Sequence, residues 1–147
     1  MAQTGQIVDP YLDCNFVVEI DGILRAGFQE ASGLDSTIDV TEYQEGGDKF
    51  KRKVPGQAKF SNIMLKWGSS DDHDLYDWHM QWLTGDPAAA RKSGSIILRD
   101  RTGAEKKRWN FSRAWPTKWT GPSFNAIDSK IAIESMEIVH EGVFLAA

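Results

Sequence analysis

Hydrophobic and polar residues alternate with a period of two along most of this chain, the pattern of half-buried strands. Phe16, Val18 and Ile20 share one side and Val17 and Glu19 the other, and Asp21-Gly22 follows as a turn. The chain returns from Ile23 to Glu30, with Gly27 at a bulge or a close approach, and Ser32-Gly33-Leu34 is the next break. Thr37 to Gln44 is a third strand, with Ile38 and Val40 on one face and Thr37, Asp39, Thr41 and Tyr43 on the other. Lys59 to Trp67 is a further strand, with Ile63, Leu65 and Trp67 aligned. Ser95–Arg99 and Lys107–Arg113 form a predicted hairpin around Thr102-Gly103-Ala104. From Arg108-Trp109-Asn110-Phe111, through Ala114 to Pro122 with Trp115 and Trp119, to Ile131–Gly142, the pattern is strand, corner, strand. In the last strand, Lys130 to Glu141, Ile131 and Ile133 have one parity and Met136 and Ile138 the other, so a bulge near Ser135 is expected.

Two stretches depart from this alternation. Leu75, Trp78, Trp82 and Leu83 follow helical spacing, which predicts a helix over Asp72–Thr84. Asp71 and Asp72 would cap it and oppose its dipole, and Gly85 and Pro87 would stop it. Between the third strand and Lys59, the segment Glu45-Gly46-Gly47-Asp48-Lys49-Phe50-Lys51-Arg52-Lys53-Val54-Pro55-Gly56 has glycines at one end and Pro-Gly at the other. That marks a long exposed excursion, of a length seldom idle in a small domain. The sum is a mainly β chain: an antiparallel β-barrel or sandwich subunit with one flanking α-helix, forming a single domain over residues 1–147.

Composition narrows the classes. The 147 residues are 41% hydrophobic, enough for one core, and no apolar run reaches the roughly 18 residues of a membrane helix. The start, Met1 to Gln6, has no basic stretch followed by an apolar one, so no secretory signal is expected. The one cysteine, Cys14, excludes an internal disulfide and suits a reducing compartment. A formal charge of -4 argues against a dedicated nucleic-acid binder and suits a surface that meets a basic partner.

Candidate chemistry is sparse. His73 and His79 with Asp72, Asp74 and Asp77 invite a metal reading, but the spacing is not that of a zinc motif, and acids at a helix start are capping residues. His140, between Val139 and Glu141, is a hydrogen-bonded or solvent-facing strand histidine, and Cys14 has no partner suggesting a catalytic thiol. Ser32-Gly33 and Ser93-Gly94-Ser95 do not form a nucleophile elbow, and Gly46-Gly47-Asp48-Lys49 lacks the spacing of a phosphate loop. No catalytic, cofactor or metal site is therefore assigned, and the chain is expected not to be an enzyme. Lys49, Lys51, Arg52 and Lys53 with Phe50 among them are expected to be an exposed protein-contact loop rather than a nucleic-acid patch; Lys106, Lys107 and Arg108 are a solvated turn. Of the six tryptophans, Trp67, Trp78 and Trp82 are expected between helix and sheet; for Trp115 and Trp119, core and interface stay open.

The ordered set of motifs resembles the tail-tube proteins of contractile phage tails and phage-tail-like contractile injection systems. The matching stretches are Asp9-Pro10-Tyr11-Leu12, Asn15 to Gly22, Phe28 to Leu34, Glu42 to Gly47, Val54-Pro55-Gly56, Lys59 to Gly68, Asp74 to His79, Gly94 to Leu98, and Arg108 to Gly142. The resemblance implies an inner-tube subunit. Six copies would form a ring whose strands join into a lumen wall, and rings would stack into a rigid tube inside a contractile sheath. The implied partners are further copies of the chain, sheath protein, baseplate and tube-initiator proteins, and a cargo effector in the lumen. No cofactor, nucleic-acid specificity or stable membrane insertion is implied. The particle, a phage tail or phage-tail-like assembly, would form in the bacterial cytoplasm. By the same analogy Gln44, Glu45, Gly46, Gly47, Asp48, Lys49, Phe50, Lys51 and Arg52 would contact the adjacent ring, and Asp71, Asp72 and Asp74 would face the sheath. The rival readings are a tube-initiating baseplate or terminator paralogue, a secreted ring protein of a type VI-like system, and a small β-barrel enzyme or ligand binder.

Overall fold

Alternation of apolar and polar residues lets a strand bury one side, and the chain uses this repeatedly. The computed structural model describes residues 9–13, 15–21, 23–25 and 27–146; the readings made for Met1 to Gln6, Cys14 and Gly22 lie outside them. Among the described residues the order is β1 (Phe16–Ile20), β2 (Ile23–Arg25), β3 (Phe28–Ser32), β4 (Ser36–Tyr43), β5 (Arg52–Phe60), β6 (Ile63–Gly68), α1 (Asp74–Leu83), β7 (Lys92–Arg99), β8 (Glu105–Thr120), β9 (Ile133–Val139) and β10 (Val143–Leu145). All pairings are antiparallel, as expected: the main sheet runs β2-β1-β7-β8-β9-β6-β3, with β10 also on β8, and β4 and β5 form a separate ribbon.

The hinge of this arrangement is β8, which is 16 residues long. Its first part pairs with β7, from Arg99↔Glu105 to Lys92↔Ala114, and its second with β9, from Trp115↔Val139 to Thr120↔Ser135. The expected corner at Ala114 to Pro122 is strand as far as Thr120: β8 runs through it and bends between two halves of the main sheet, and the strand expected beyond the corner is β9. The bend falls at Arg113, the one non-glycine residue with positive φ (52°) among the described residues. Pro116, which has no N–H to donate, sits beside a register shift between Pro116 and Lys118. That bulge replaces the one expected near Ser135. From Ile63↔Ile138 to Gly68↔Ile133 the β6–β9 register runs without a shift, because Ile131 lies before β9 and exerts no phase on it.

Buried side chains from both halves of the main sheet form one core: Val18, Ile20, Ile63, Leu65, Trp67, Ile96, Phe111, Met136 and Ile138 among them, joined by Leu75 and Trp78 of α1. Each such side chain contributes roughly 1.5–3 kcal/mol on leaving water. The expected Lys59–Trp67 strand is two strands, because Ser61 and Asn62 turn the chain from the ribbon into the main sheet; Ser61 N–H donates to Asp35 O at 3.4 Å. Buried His140 ties this turn to the β9–β10 turn: its Nε2 bonds Ser61 O at 2.8 Å, and its Nδ1 accepts the Gly142 N–H at 3.1 Å.

The helix lies on the second half of β8. Trp78 Nε1–H donates to Ala90 O at 3.0 Å, Tyr76 meets Trp119 edge-on at 4.7 Å, and Trp82 meets Trp115 at 5.6 Å between ring centres. Trp115 and Trp119 are thereby half-buried against α1 of their own chain. Trp78 and Trp67 belong to the core, and Trp67 additionally meets Phe28 edge-on.

Candidate assembly surfaces

The β4–β5 ribbon stands apart from the main sheet and leaves nearly all its side chains exposed. Ile38 is paired with Ala58 and Val40 with Pro55, which makes one apolar face; Thr37, Asp39 and Thr41 lie on the other with Lys59, whose Nζ reaches Asp39 Oδ2 at 3.0 Å. Ile38 and Val40, which share one face as the alternation predicts, are 60% and 63% exposed rather than half-buried. The ribbon also shortens the expected Glu45–Gly56 excursion, since Arg52 to Gly56 belong to β5. Pro55-Gly56 does not end the strand because it sits where the ladder shifts register between Ile38 and Val40, and a bulge absorbs the missing N–H.

The remaining loop, residues 44–51, is organised by Asp48. Its N–H donates to Glu45 O (3.1 Å), its Oδ2 accepts from Glu45 N–H and Arg52 Nε (3.3 Å each), and its carbonyl accepts from Gln44 Nε2 (2.7 Å). Gly46 and Gly47 form the turn, with Gly47 at φ +95°, a conformation that disfavours any side chain. Lys51 Nζ lies 4.0 Å from Glu42 Oε2, while Lys49 and Phe50 project into solvent. The structure thus gathers Gln44, Glu45, Gly46, Gly47, Asp48, Lys49, Phe50, Lys51 and Arg52 at one tip.

Asp71, Asp72 and Asp74 are all exposed, on a separate element at the start of α1. The helix begins two residues later than expected. His73 occupies the N-cap with no side-chain capping bond; Asp72 Oδ1 instead accepts the Asp74 N–H at 3.1 Å. Asp74 and Asp77 oppose the helix dipole. The two helix histidines have different partners. His73 Nδ1 lies 2.8 Å from Asp77 Oδ2, a hydrogen bond that raises its pKa above the usual 6.5, reinforced by the Asp77 and Asp74 charges. His79 Nδ1 lies 3.3 Å from Pro116 O. Among the described residues no group of three or more His, Cys, Asp or Glu side chains is disposed to hold a metal ion, and no helix is long and apolar enough to cross a membrane.

Further apolar residues are uncovered, and Ile131, expected in the last strand, lies before β9. Phe124, Ile127 and Ile131 are exposed on the irregular connection between β8 and β9, as are Phe144 and Leu145 on β10. A cleft of about 310 Å³ opens where edge strand β3 faces β1, β7 and β8, walled by Phe16, Leu34 and Trp109 with Tyr11, Asp13 and Glu30 in its lining. No periodicity marks the cleft, made by residues remote in sequence, or Phe124, Ile127 and Ile131, set in irregular backbone.

Comparisons with known proteins agree on what such a chain is. A chain in the PVC sheath–tube complex of an extracellular contractile injection system, in its extended state, superposes with a TM-score of 0.84 at 28% identity, over 100% of this chain and 99% of that one. A chain in the structure of the anti-feeding prophage tube-terminating cap gives 0.84 at 29% identity, over 99% of both chains. Hcp1 from Flavobacterium johnsoniae gives 0.54 at 17% identity, covering 89% of this chain and 94% of that one, a likeness of fold alone. A search of curated proteins finds no match. The model of one family, described as T4-like virus tail tube protein gp19, matches residues 12–144 and leaves only the two ends outside it. The chain therefore belongs to the T4-like virus tail tube protein family.

Proposed function

We propose that this protein, a structural tube subunit of a contractile injection system, works as one domain in rings of six that stack into a hollow tube. A sheath surrounds the tube, a baseplate starts it, and its lumen holds or conducts a cargo effector; the subunit performs no catalysis. The observation that carries this is the β4–β5 ribbon. A two-stranded ribbon is marginal in water, and among the described residues none covers Ile38 and Val40, which this one exposes. Neighbouring copies that share the ribbon would bury that face and remove unpaired strand edges.

The tip at Gln44–Arg52 contacts the adjacent ring, its charges setting register, and the exposed acids Asp71, Asp72 and Asp74 face basic sheath residues. Assembly takes place in the bacterial cytoplasm, which the single cysteine favours. A type VI-like secreted ring is less well supported, because the likeness to Hcp1 is far weaker than that to the tube-complex chain.

Electron microscopy of the purified chain, alone and with sheath and baseplate proteins, is the test. Uniform elongating tubes are expected. Rings that never elongate would indicate an initiator or terminator, and a chain that stays monomeric with every partner present would overturn the assignment. Replacing residues 46–50 with a shorter Asn-Gly turn is expected to leave the fold intact and impair stacking. Asp72→Lys with Asp74→Lys is expected to weaken sheath assembly, and normal assembly would remove these acids from the sheath contact.

A further inference from the structure

The connection between β8 and β9, residues 121–132, is a strap that displays apolar side chains to solvent: Phe124 is 84% exposed and Ile127 92%. Its shape is held by its own bonds. Asn125 Oδ1 accepts the Ile127 N–H at 3.0 Å, Asn125 Nδ2 donates to Asp128 Oδ2 at 3.3 Å, and Ala132 O accepts the Ser69 N–H at 2.8 Å. Apolar groups clustered on an exposed loop of this kind mark a contact surface.

We propose that this strap docks into the β3-edge cleft of a second copy of the chain. Phe124 and Ile127 enter between Phe16, Leu34 and Trp109, and Lys130 comes to face Asp13 and Glu30. The inference rests on the tube-subunit reading and adds to it a contact separate from the ribbon tip and the helix start. Three observations favour a second copy. The cleft, about 310 Å³, is about twice the ~150 Å³ apolar cavity that accommodates benzene, so it has room for two apolar side chains. The charges are complementary: the Lys130 side chain is 82% exposed with Asp128 no nearer than 3.9 Å, and the cleft lining carries Asp13 together with Glu30, whose exposed carboxylate also meets Lys66 Nζ at 3.3 Å. Strap and cleft occupy different parts of the chain, so the contact is heterologous and propagates from copy to copy. Docking there also covers the outer edge of β3, the last strand of the main sheet.

The test is a cysteine pair, Leu34→Cys with Ile127→Cys, in a Cys14→Ser background, oxidised after assembly. A ladder of covalent multimers on a non-reducing gel is expected, absent from either single-cysteine variant. Rings or tubes that form without a ladder would overturn the docking and leave the tube assignment standing; a wild-type chain that never assembles would overturn both. Phe124→Ala with Ile127→Ala removes exposed groups, so the melting temperature stays unchanged while the concentration needed for assembly rises at least tenfold. Normal tubes that fail only to take up sheath would assign the strap to the sheath and refute the second copy as its occupant.

Discussion

Gly94 stands directly across from Phe111 in the β7–β8 ladder, and the phenyl ring occupies the space that a side chain on Gly94 would need. A β-carbon at position 94 would lie 2.5 Å from Phe111 Cζ and 2.5 Å from Glu19 O. Gly94→Ala must therefore displace both a buried ring and the β1 backbone, or shift its own strand away from them. It is expected to cost about 1–3 kcal/mol, the usual range for overpacking, read as a lower urea midpoint at unchanged slope. Wild-type stability would show that the ring moves freely.

The indole N–H groups of Trp82 and Trp119 are buried without a hydrogen-bond partner. An orphaned buried donor costs about 1–3 kcal/mol, and replacing it by an apolar group of similar shape can be neutral or better. Trp119→Phe keeps a ring against Tyr76 and is expected to hold stability within about 1 kcal/mol of wild type. Trp119→Ala, which leaves a hole under α1, is expected to lose about 3 kcal/mol. Equal losses in the two variants would mean that the indole nitrogen is bonded in solution.

Asp100 organises the β7–β8 turn. Its Oδ1 accepts the Thr102 hydroxyl at 2.6 Å, the Thr102 N–H at 2.9 Å and the Ala104 N–H at 3.0 Å. The Thr102 hydroxyl, and after it the two amides and Lys106, hold the carboxyl below its ordinary pKa of 3.8. A depressed folded pKa gives a contribution fully present above 3.8 and lost as pH falls through the lower folded value. NMR titration of the Thr102 amide is expected to show a midpoint below 3.8, and Asp100→Asn should abolish it. A midpoint at or above 3.8 would mean that the turn does not hold its carboxylate.

Arg113 takes a left-handed backbone conformation at the bend of β8 and offsets part of that cost by an exposed ion pair, Nε to Glu141 Oε2 at 2.8 Å. Glycine adopts this φ without strain, and an exposed pair is worth about 0–1 kcal/mol. Arg113→Gly is therefore expected to stay within about 1 kcal/mol of wild type. Arg113→Val, β-branched and without a charge, should be the less stable by roughly 1–2 kcal/mol, measured by thermal unfolding.

Local pattern carried much of this fold and little of its contacts. Ile63, Leu65 and Trp67 announced β6, and Leu75 with Trp78 announced the buried face of α1, because each set follows the period of its element. The same alternation at Ile38 and Val40 predicts an apolar side but not whose surface covers it, and here that side is exposed. Pro55-Gly56 reads as a loop end, yet it sits at a bulge inside a strand, as Pro116 does, where a missing N–H does little harm. Asp72 was expected as a cap and binds the Asp74 amide from one residue outside that position. The basic and acidic clusters at Lys49–Lys53 and Asp71–Asp74 were legible as exposed groups. Phe124 and Ile127, scattered among Gly, Pro, Ser and Asn, were not, and neither was a cleft assembled from Tyr11, Leu34 and Trp109.

The double membership of β8 has a mechanical consequence. In most layered β-proteins two sheets are held face to face by side-chain contacts, and a shear force can slide one past the other. Here an unbroken peptide backbone passes from the β7 ladder into the β9 ladder, so a push applied to one sheet reaches the other through covalent bonds. A subunit built in this way joins the two ladders through its longest strand, and the side chains of the core have only to keep that strand in place.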